Sequence, residues 1–185
     1  LRDKTGAGMM DCKNALVESE GDIEIAIDYL RKSGITKAEK KGSRETKEGV
    51  VYSYIHAGGR LGVLIELNCE TDFVAKTDGF TELAHNIAMQ VAATNPIAID
   101  KDSVDEVVVS REVEIYTEQA KSEGKPDNII EKMVDGRLQK FFQESCLMQQ
   151  TYIKDSDKKV VDLLNETIAT LGENISINRF ARFSI

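Results

Sequence analysis

At 185 residues, the chain is long enough for one substantial hydrophobic core and a small appended module. Its residues are 41% hydrophobic and 30% charged, proportions typical of a globular protein, which excludes disorder along most of the chain. The formal net charge of -8 argues against non-specific binding to nucleic acid, because phosphate contacts need concentrated positive charge, and it favours a protein partner instead.

The N-terminal residues, 1–34, are predicted to form a compact helical module. Glycines and Asp22 separate two short amphipathic segments in "TGAGMMDCKNALVESEGDIEIAIDYLRKSG". The apolar positions are Met9, Met10, Ala15 and Leu16 in the first segment, and Ile23, Ala26, Ile27 and Leu30 in the second. Apolar residues at the start of a helix are often core residues, but adjacent positions point in different directions, so one of Met9 and Met10 can be buried in the module while the other faces outward.

The next segment, 35–48, mixes lysine, arginine and glutamate, and Gly42 interrupts it. Such a charge mixture is typical of a solvated stretch of chain. We interpret it as a linker that is helical at first, and a role in partner contact remains open.

The core domain, residues 49–185, begins with a change to a period of two. Two strand-like runs flank Gly58 and Gly59, which is the turn chemistry of a β-hairpin. In the second run the apolar residues share one face, and polar residues take the other. The apolar set is Leu61, Val63, Ile65, Leu67 and Cys69, and the polar set is Arg60, Glu66, Asn68 and Glu70. The last segment, "NISINRFARFSI", alternates well enough to be a third strand that pairs with this hairpin.

Helical periodicity dominates the rest of the core domain. Asp78 can cap a helix whose apolar residues, from Phe80 to Val91, return every three or four positions, so this helix should pack on the sheet. Two further helices, separated at Gly124 and restarted near Pro126, are predicted to project as an antiparallel hairpin. A final amphipathic helix is predicted in "DKKVVDLLNETIATLG". The fold class is therefore α+β, with a small antiparallel sheet of about three strands layered with helices.

Little in the sequence suggests a membrane, disulfide or metal site. No apolar run approaches the roughly 20 residues of a membrane span and no signal peptide opens the chain, so we predict a soluble cytoplasmic protein without a membrane partner. Because the first residue is Leu1 and not Met, we expect a few residues to precede it. The cysteines Cys12, Cys69 and Cys146 lack CxxC spacing and are predicted to be buried reduced thiols.

The sequence also shows no strong motif typical of a catalytic site. His56 and His85 have no carboxylate, cysteine or histidine at a metal-like or triad-like spacing, although a Cys12 or Cys69 nucleophile served by His85 stays open as an alternative. The carboxylates Glu70 and Asp72 are uninformative in so acidic a chain. "TGAG" lacks a preceding strand and a following GK[ST], so it predicts a tight turn and no nucleotide site. We predict no catalytic side chain, no metal and no cofactor.

Two long motifs carry a family resemblance. "LRDKTGAGMMDCKNAL" with "GDIEIAIDYLRKSG", and then "ELNCETDFVAK", closely resemble the two signature regions of the elongation factor Ts family, the guanine nucleotide exchange factors for elongation factor Tu. "GKPDNIIEKMVDGRLQKFFQESCLMQQTYIKD" and "GENISINRFARF" resemble later blocks of the same family. The chain departs from the family at Thr151, where a proline is usual, and it ends soon after "RFARF" without the familiar tail, which we expect to reflect truncation or disorder.

This resemblance implies a function. The N-terminal module would be a three-helix domain like a ubiquitin-associated domain, and it would dock on the GTPase domain of elongation factor Tu through Arg2, Met9 and Met10. The loop Thr71–Val74 would enter the same GTPase domain, with Phe73 as the wedge and Asp72 disturbing the bound Mg²⁺, so that GDP leaves. An aromatic ring at the turn where a strand gives way to a helix fits such a role.

The resemblance also implies an assembly and leaves two rivals. The chain resembles short family members with a single core, which implies a homodimer that binds GDP-bound and nucleotide-free elongation factor Tu, without direct contact to nucleic acid. The first rival is a protein-binding adaptor that uses only the ubiquitin-associated-like module, so that residues 1–34 bind a partner alone and Phe73→Ala is harmless. The second is a cysteine hydrolase, which would be inactivated by thiol reagents at Cys12 or Cys69.

Overall fold

The computed structural model describes residues 1–124 and 126–185. Within those residues the α-helices are α1 Arg2–Thr5, α2 Met9–Glu18, α3 Ile23–Lys41, α4 Asp72–Ala75, α5 Asp78–Thr94, α6 Glu106–Ser122, α7 Asp127–Ser145 and α8 Val160–Leu171. The strands are β1 Glu48–Ile55, β2 Leu61–Cys69, β3 Thr151–Tyr152, β4 Asp155–Lys159 and β5 Ile175–Ser184. Short 3-10 turns occupy Lys101–Ser103 and Leu147–Gln149. This mixture of helices and a small antiparallel sheet confirms the α+β prediction.

The chain forms two compact units. Residues 1–92 and 161–185 make up the first unit, and residues 93–160 make up the second. Helix α3 runs without a break from Ile23 to Lys41, so the first part of the predicted linker is helical. The proposed division at residues 34 and 48 stays a prediction.

The N-terminal module begins with three helices, and its interior is built from small side chains. Cys12, Ala15 and Ala26 are buried, whereas Met9, Met10 and Ile23 are exposed. The buried interior of the module is therefore formed by small side chains, and neither methionine belongs to it. Asp22 caps α3, because its carboxylate accepts hydrogen bonds from the amides of Glu24 and Ile25 at 2.8 and 3.0 Å.

A three-stranded antiparallel sheet with the order β1-β2-β5 forms the centre of the first unit. The predicted hairpin and its pairing with the C-terminal strand are both confirmed. The predicted apolar face of β2 is its inner face, where Val63, Ile65, Leu67 and Cys69 are buried and Leu61 is half-buried. A bulge in β5 lets Asn178 and Arg179 both donate to the Glu66 carboxylate, at 2.8 and 2.6 Å.

Helix α5 lies against the inner face of this sheet. Its buried residues include Phe80, Leu83, Ile87 and Val91, as the periodicity predicts. The prediction that Asp78 caps this helix is wrong, since Asp78 is the first helical residue. The Thr77 hydroxyl accepts the hydrogen bond from the Phe80 amide at 3.3 Å.

In the second unit, α6 and α7 pack together as the predicted helical pair. Ala120, Ile130 and Val134 form a buried cluster between them. The sequence interpretation that placed residues 157–159 in the last helix is wrong, because β4 extends to Lys159 and pairs with β3. Among the helices of the described residues, none has the length and apolar character needed to traverse a lipid bilayer.

Candidate functional site

The residues Thr71–Val74 form an anchored turn with an exposed ring at its tip. Thr71 has extended backbone and caps the short helix α4, accepting a hydrogen bond from the Val74 amide at 3.5 Å. The side chain of Phe73 is 79% exposed, whereas Ala75 is buried. The Thr77 hydroxyl donates to the Val74 carbonyl at 2.7 Å and closes the C-terminal end. The turn therefore presents one large apolar side chain outward from a fixed base.

Glu173 holds the N-terminal end of this turn. Helix α8 ends at Leu171, and Gly172 then adopts a φ of 84°, which favours glycine and leads the chain to Glu173. The amide and the hydroxyl of Thr71 donate to the two carboxylate oxygens of Glu173 at 2.9 and 2.7 Å. The Thr71 carbonyl accepts a hydrogen bond from the Cys69 thiol at 3.1 Å. Every polar atom of Thr71 thus has a partner.

A second set of contacts joins the same region to the segment after α3. The carboxylate of Glu70 accepts a hydrogen bond from the Asn174 amide at 2.6 Å, and the Arg44 guanidinium lies 3.4 Å from it. The Asn174 side chain donates to the Arg44 carbonyl at 2.8 Å. Arg44, Glu70 and Asn174 therefore form a closed ring of contacts.

The charge of Asp72 is balanced within its own turn. Its carboxylate accepts a hydrogen bond from Lys76, one helical turn later, at 2.6 Å. This hydrogen bond, together with the nearby ammonium charge, lowers the pKa of Asp72 below its ordinary value. The same contact raises the pKa of Lys76. Glu70 and Asp72 have separate partners, so they do not form an acid–base pair.

The residues Arg2, Met9 and Met10 lie on the N-terminal module. Arg2 is exposed in α1, which ends at Gly6 with a φ of 65°. The "TGAG" segment is thus the turn between α1 and α2. The sequence left open whether one of Met9 and Met10 is buried, and the structure exposes both, at 65% and 62%. The predicted site residues therefore form two sets, one on the module and one on the turn after β2.

The buried cysteines have the character of core thiols. Cys69 is fully buried, and burial, followed by the negative charge of Glu173, raises the pKa of its thiol. Its Sγ–H is used by Thr71, and the Nδ1 atom of His85 lies 3.1 Å from the Tyr52 hydroxyl. These partners favour a structural role for Cys69 over that of a nucleophile. Across residues 1–124 and 126–185 there is no group of three His, Cys, Asp or Glu side chains that could hold a metal ion.

The outer face of the three-stranded sheet is a further exposed apolar surface. Val51 and Ile55 of β1, Leu64 of β2 and Phe183 of β5 are all exposed. They share one face, because Val51 pairs with Glu66, and Ile55 and Phe183 both pair with Gly62. We call these four residues the outer sheet face. Exposed apolar residues gathered on one face of a sheet make it a candidate interaction surface.

Reasoning from the sequence missed the support of the turn. Glu173 and Asn174 lie about a hundred positions after Thr71, and the only local signal is a Glu-Asn pair directly after Gly172, between an apolar helix and an apolar strand. Neither period nor spacing reveals what such a pair contacts.

Comparison with known proteins gives a consistent result along the chain. The family model described as Elongation factor TS matches residues 35–168. A protein named Elongation factor Ts from Syntrophomonas wolfei subsp. wolfei is 60% identical over 185 residues, which cover all of this chain and 86% of that protein. Proteins of the same name from Oleidesulfovibrio alaskensis and Moorella thermoacetica are each 56% identical over 185 residues and are covered over 93% and 91% of their lengths. This chain is similar to proteins of that name from its first residue to its last.

Proposed function

The chain belongs to the elongation factor Ts family of translation elongation factors, and from that membership we propose that it promotes the release of GDP from elongation factor Tu. It binds the GDP-bound and the nucleotide-free forms, and GTP enters the vacated site. The role is that of an exchange factor that acts by binding, with no bond made or broken by its own side chains.

The observation that carries this proposal is the exposure of Phe73 on an anchored turn. A large apolar side chain that is held out from a rigid base loses little conformational freedom on binding, which suits an interface anchor. In the proposed complex the ring enters the GTPase domain of elongation factor Tu. Thr71 and Val74 form the base and side of this wedge.

Asp72 brings a negative charge to the same place. An aspartate is ionised at neutral pH, and the hydrogen bond from Lys76 lowers the pKa of Asp72 below its ordinary value. In the complex this charge disturbs the surroundings of the Mg²⁺ bound with GDP, and the nucleotide loses charge compensation. Because linkage is reciprocal, GDP weakens the binding of this chain by the same factor by which this chain weakens the binding of GDP.

The N-terminal module supplies a separate docking contact. Residues 1–34 form this ubiquitin-associated-like module, residues 35–48 link it, and residues 49–185 form the core domain that carries the wedge. Arg2, Met9 and Met10 meet the GTPase domain. The exposed methionines are also compatible with an adaptor without exchange activity, so exchange itself must be measured.

The test is the rate at which elongation factor Tu releases a fluorescent GDP analogue, with and without the full chain. We expect the rate to rise by at least about tenfold, a gain of about 1.4 kcal/mol in transition-state stabilisation. Binding of the chain to elongation factor Tu without any acceleration would favour the adaptor and contradict the exchange function.

The proposal includes a homodimer in the cytoplasm, where the partner acts. The outer sheet face supports the dimer, since an apolar surface on a central sheet suits a second copy of the same surface across a two-fold axis. Neither nucleic acid nor a membrane is a partner in this proposal.

A further inference from the structure

Glu173 makes two hydrogen bonds to one residue, Thr71, and these bonds affect the direction in which the turn presents Phe73. A carboxylate that accepts from the amide and the hydroxyl of Thr71 fixes both the position and the orientation of that residue. Thr71 caps α4, and Phe73 is the second residue of that helix. The direction in which the ring points therefore depends on where Glu173 holds Thr71.

The turn depends on contacts at its two ends to keep its shape. A helix of four residues, such as α4, is too short to be stable by itself. The exposed ring of Phe73 makes no buried anchor of its own, and the C-terminal end is held by Ala75 and Thr77. The N-terminal end is held through Thr71, whose strongest contacts are those to Glu173.

The neighbouring residue Asn174 extends this support to the segment after α3. Its side chain donates to the Arg44 carbonyl, and its amide donates to Glu70, the residue just before Thr71. The hydroxyls of Thr46 and Ser176 lie 2.8 Å apart and tie the same two stretches together. One short segment, 173–174, thus contacts both the turn and the chain that leads to it from the helical module.

We propose that Glu173 is a positioning residue for nucleotide exchange, acting through Thr71 to aim Phe73, and that Asn174 ties this clamp to the segment that follows the module. This role deepens the exchange function proposed above and rests on it. The clamp itself is a property of the free protein, so it can be tested apart from exchange.

The functional test measures GDP-analogue release from elongation factor Tu at increasing concentrations of the full chain. For Glu173→Ala we expect the maximal rate to fall about tenfold, because the docked complex aims the ring less often, while the half-saturating concentration changes less than about twofold. Glu173→Gln keeps the side-chain volume and one acceptor oxygen, so its maximal rate should lie between those of wild type and Glu173→Ala. Glu131→Ala, at an exposed glutamate of α7, is the matched control and should behave as wild type.

A second readout uses the free protein and does not depend on exchange. The amide proton of Thr71 should move upfield in the NMR spectrum of Glu173→Ala, and less in Glu173→Gln, because its charge-assisted hydrogen bond is lost or weakened. An unchanged Thr71 resonance, or a wild-type maximal rate in a folded Glu173→Ala protein, would overturn the clamp. A wild-type chain that fails to accelerate release would defeat the exchange function instead, and the positioning role would fall with it even if the Thr71 resonance moved.

Discussion

Exposure alone does not single out Phe73 as the proposed wedge. Val107 on α6 is 74% exposed, nearly as much as the 79% of Phe73, and several other apolar residues are exposed as well. What distinguishes Phe73 is its base, where Thr71 is held by Glu173 and Val74 is held by Thr77. The sequence could place Phe73 at an exposed turn by its resemblance to a family motif. It could not reveal Glu173, because that contact depends on the chain returning after about a hundred residues.

The ion pair between Asp72 and Lys76 predicts a pH effect at the tip of the turn. Replacing Lys76 with alanine removes the hydrogen bond and the positive charge, so we expect the pKa of Asp72 to rise toward the ordinary value of an aspartate. The carboxyl carbon of Asp72, followed by NMR during a pH titration, reports this directly. Lys140→Ala, which breaks a similarly spaced pair with Glu144 on α7, is the control.

The sign of the effect on stability follows from the direction of that shift. Because the pKa of Asp72 is lower in the folded than in the unfolded chain, the pair stabilises the fold above the unfolded-state pKa. This contribution is lost as the pH falls through the folded-state pKa. An unchanged pKa of Asp72 in Lys76→Ala would show that the pair is not formed in solution.

At the scale of elements, the periodicity of apolar residues predicted which faces of the strand and the helix are buried. The inner face of β2 and the buried face of α5 follow directly from apolar residues at periods of two and of three to four. The predictions from sequence were wrong where two adjacent residues could each cap a helix, and where a strand has no apolar periodicity. Thr77 and Asp78 are both capping residues, and only the structure shows which hydroxyl or carboxylate meets the amide of Phe80. The strand β4 has no apolar pattern, so its pairing with β3 was not predictable.

Two glycines in regular elements should respond to alanine in opposite directions. Gly34 is buried within α3, and a Cβ there would lie 3.7 Å from the Cβ of Ala169 on α8, an ordinary contact distance. Gly34→Ala should therefore raise the free energy of unfolding by up to about 1 kcal/mol, since alanine favours the helix. Gly49 in β1 has a φ of 150°, and its Cβ would collide with the carbonyl oxygen of Leu67.

Gly49→Ala should lower the free energy of unfolding by at least about 2 kcal/mol, because both the backbone conformation and the space oppose a side chain. Urea denaturation of the two variants beside wild type measures both changes. If Gly34→Ala and Gly49→Ala lowered the free energy of unfolding equally, the close but unstrained approach of α3 to α8 would be contradicted.

At the scale of the whole molecule, the outer sheet face decides the expected assembly. The sequence predicted a polar second face for β2, but the apolar character of this face comes from residues on three strands, of which β5 is far from the β1–β2 hairpin in sequence. Val51 and Leu64 share this face because β1 pairs with β2, and Phe183 joins them because β5 pairs with β2. A surface assembled in this way cannot be recognised from the alternation of one strand.

A charged substitution on this face should separate the protomers. We expect wild type to have the mass of a dimer by light scattering at micromolar concentration, and Val51→Lys to have the mass of a monomer because a buried unpaired charge is costly. Val107→Lys, at a similarly exposed valine on α6, should remain a dimer. A monomeric wild type would contradict the homodimer. A dimeric Val51→Lys would show that the dimer interface is not the outer sheet face.

The role of Phe73 is tested most directly by one comparison of nucleotide release. The maximal rate of GDP-analogue release from elongation factor Tu is measured with wild type, Phe73→Ala and the control Val107→Ala. Truncating an anchor of this kind costs about 2 kcal/mol or more, so we expect the maximal rate with Phe73→Ala to fall at least about tenfold, while Val107→Ala keeps the wild-type rate. A wild-type rate with Phe73→Ala would contradict exchange by an inserted ring.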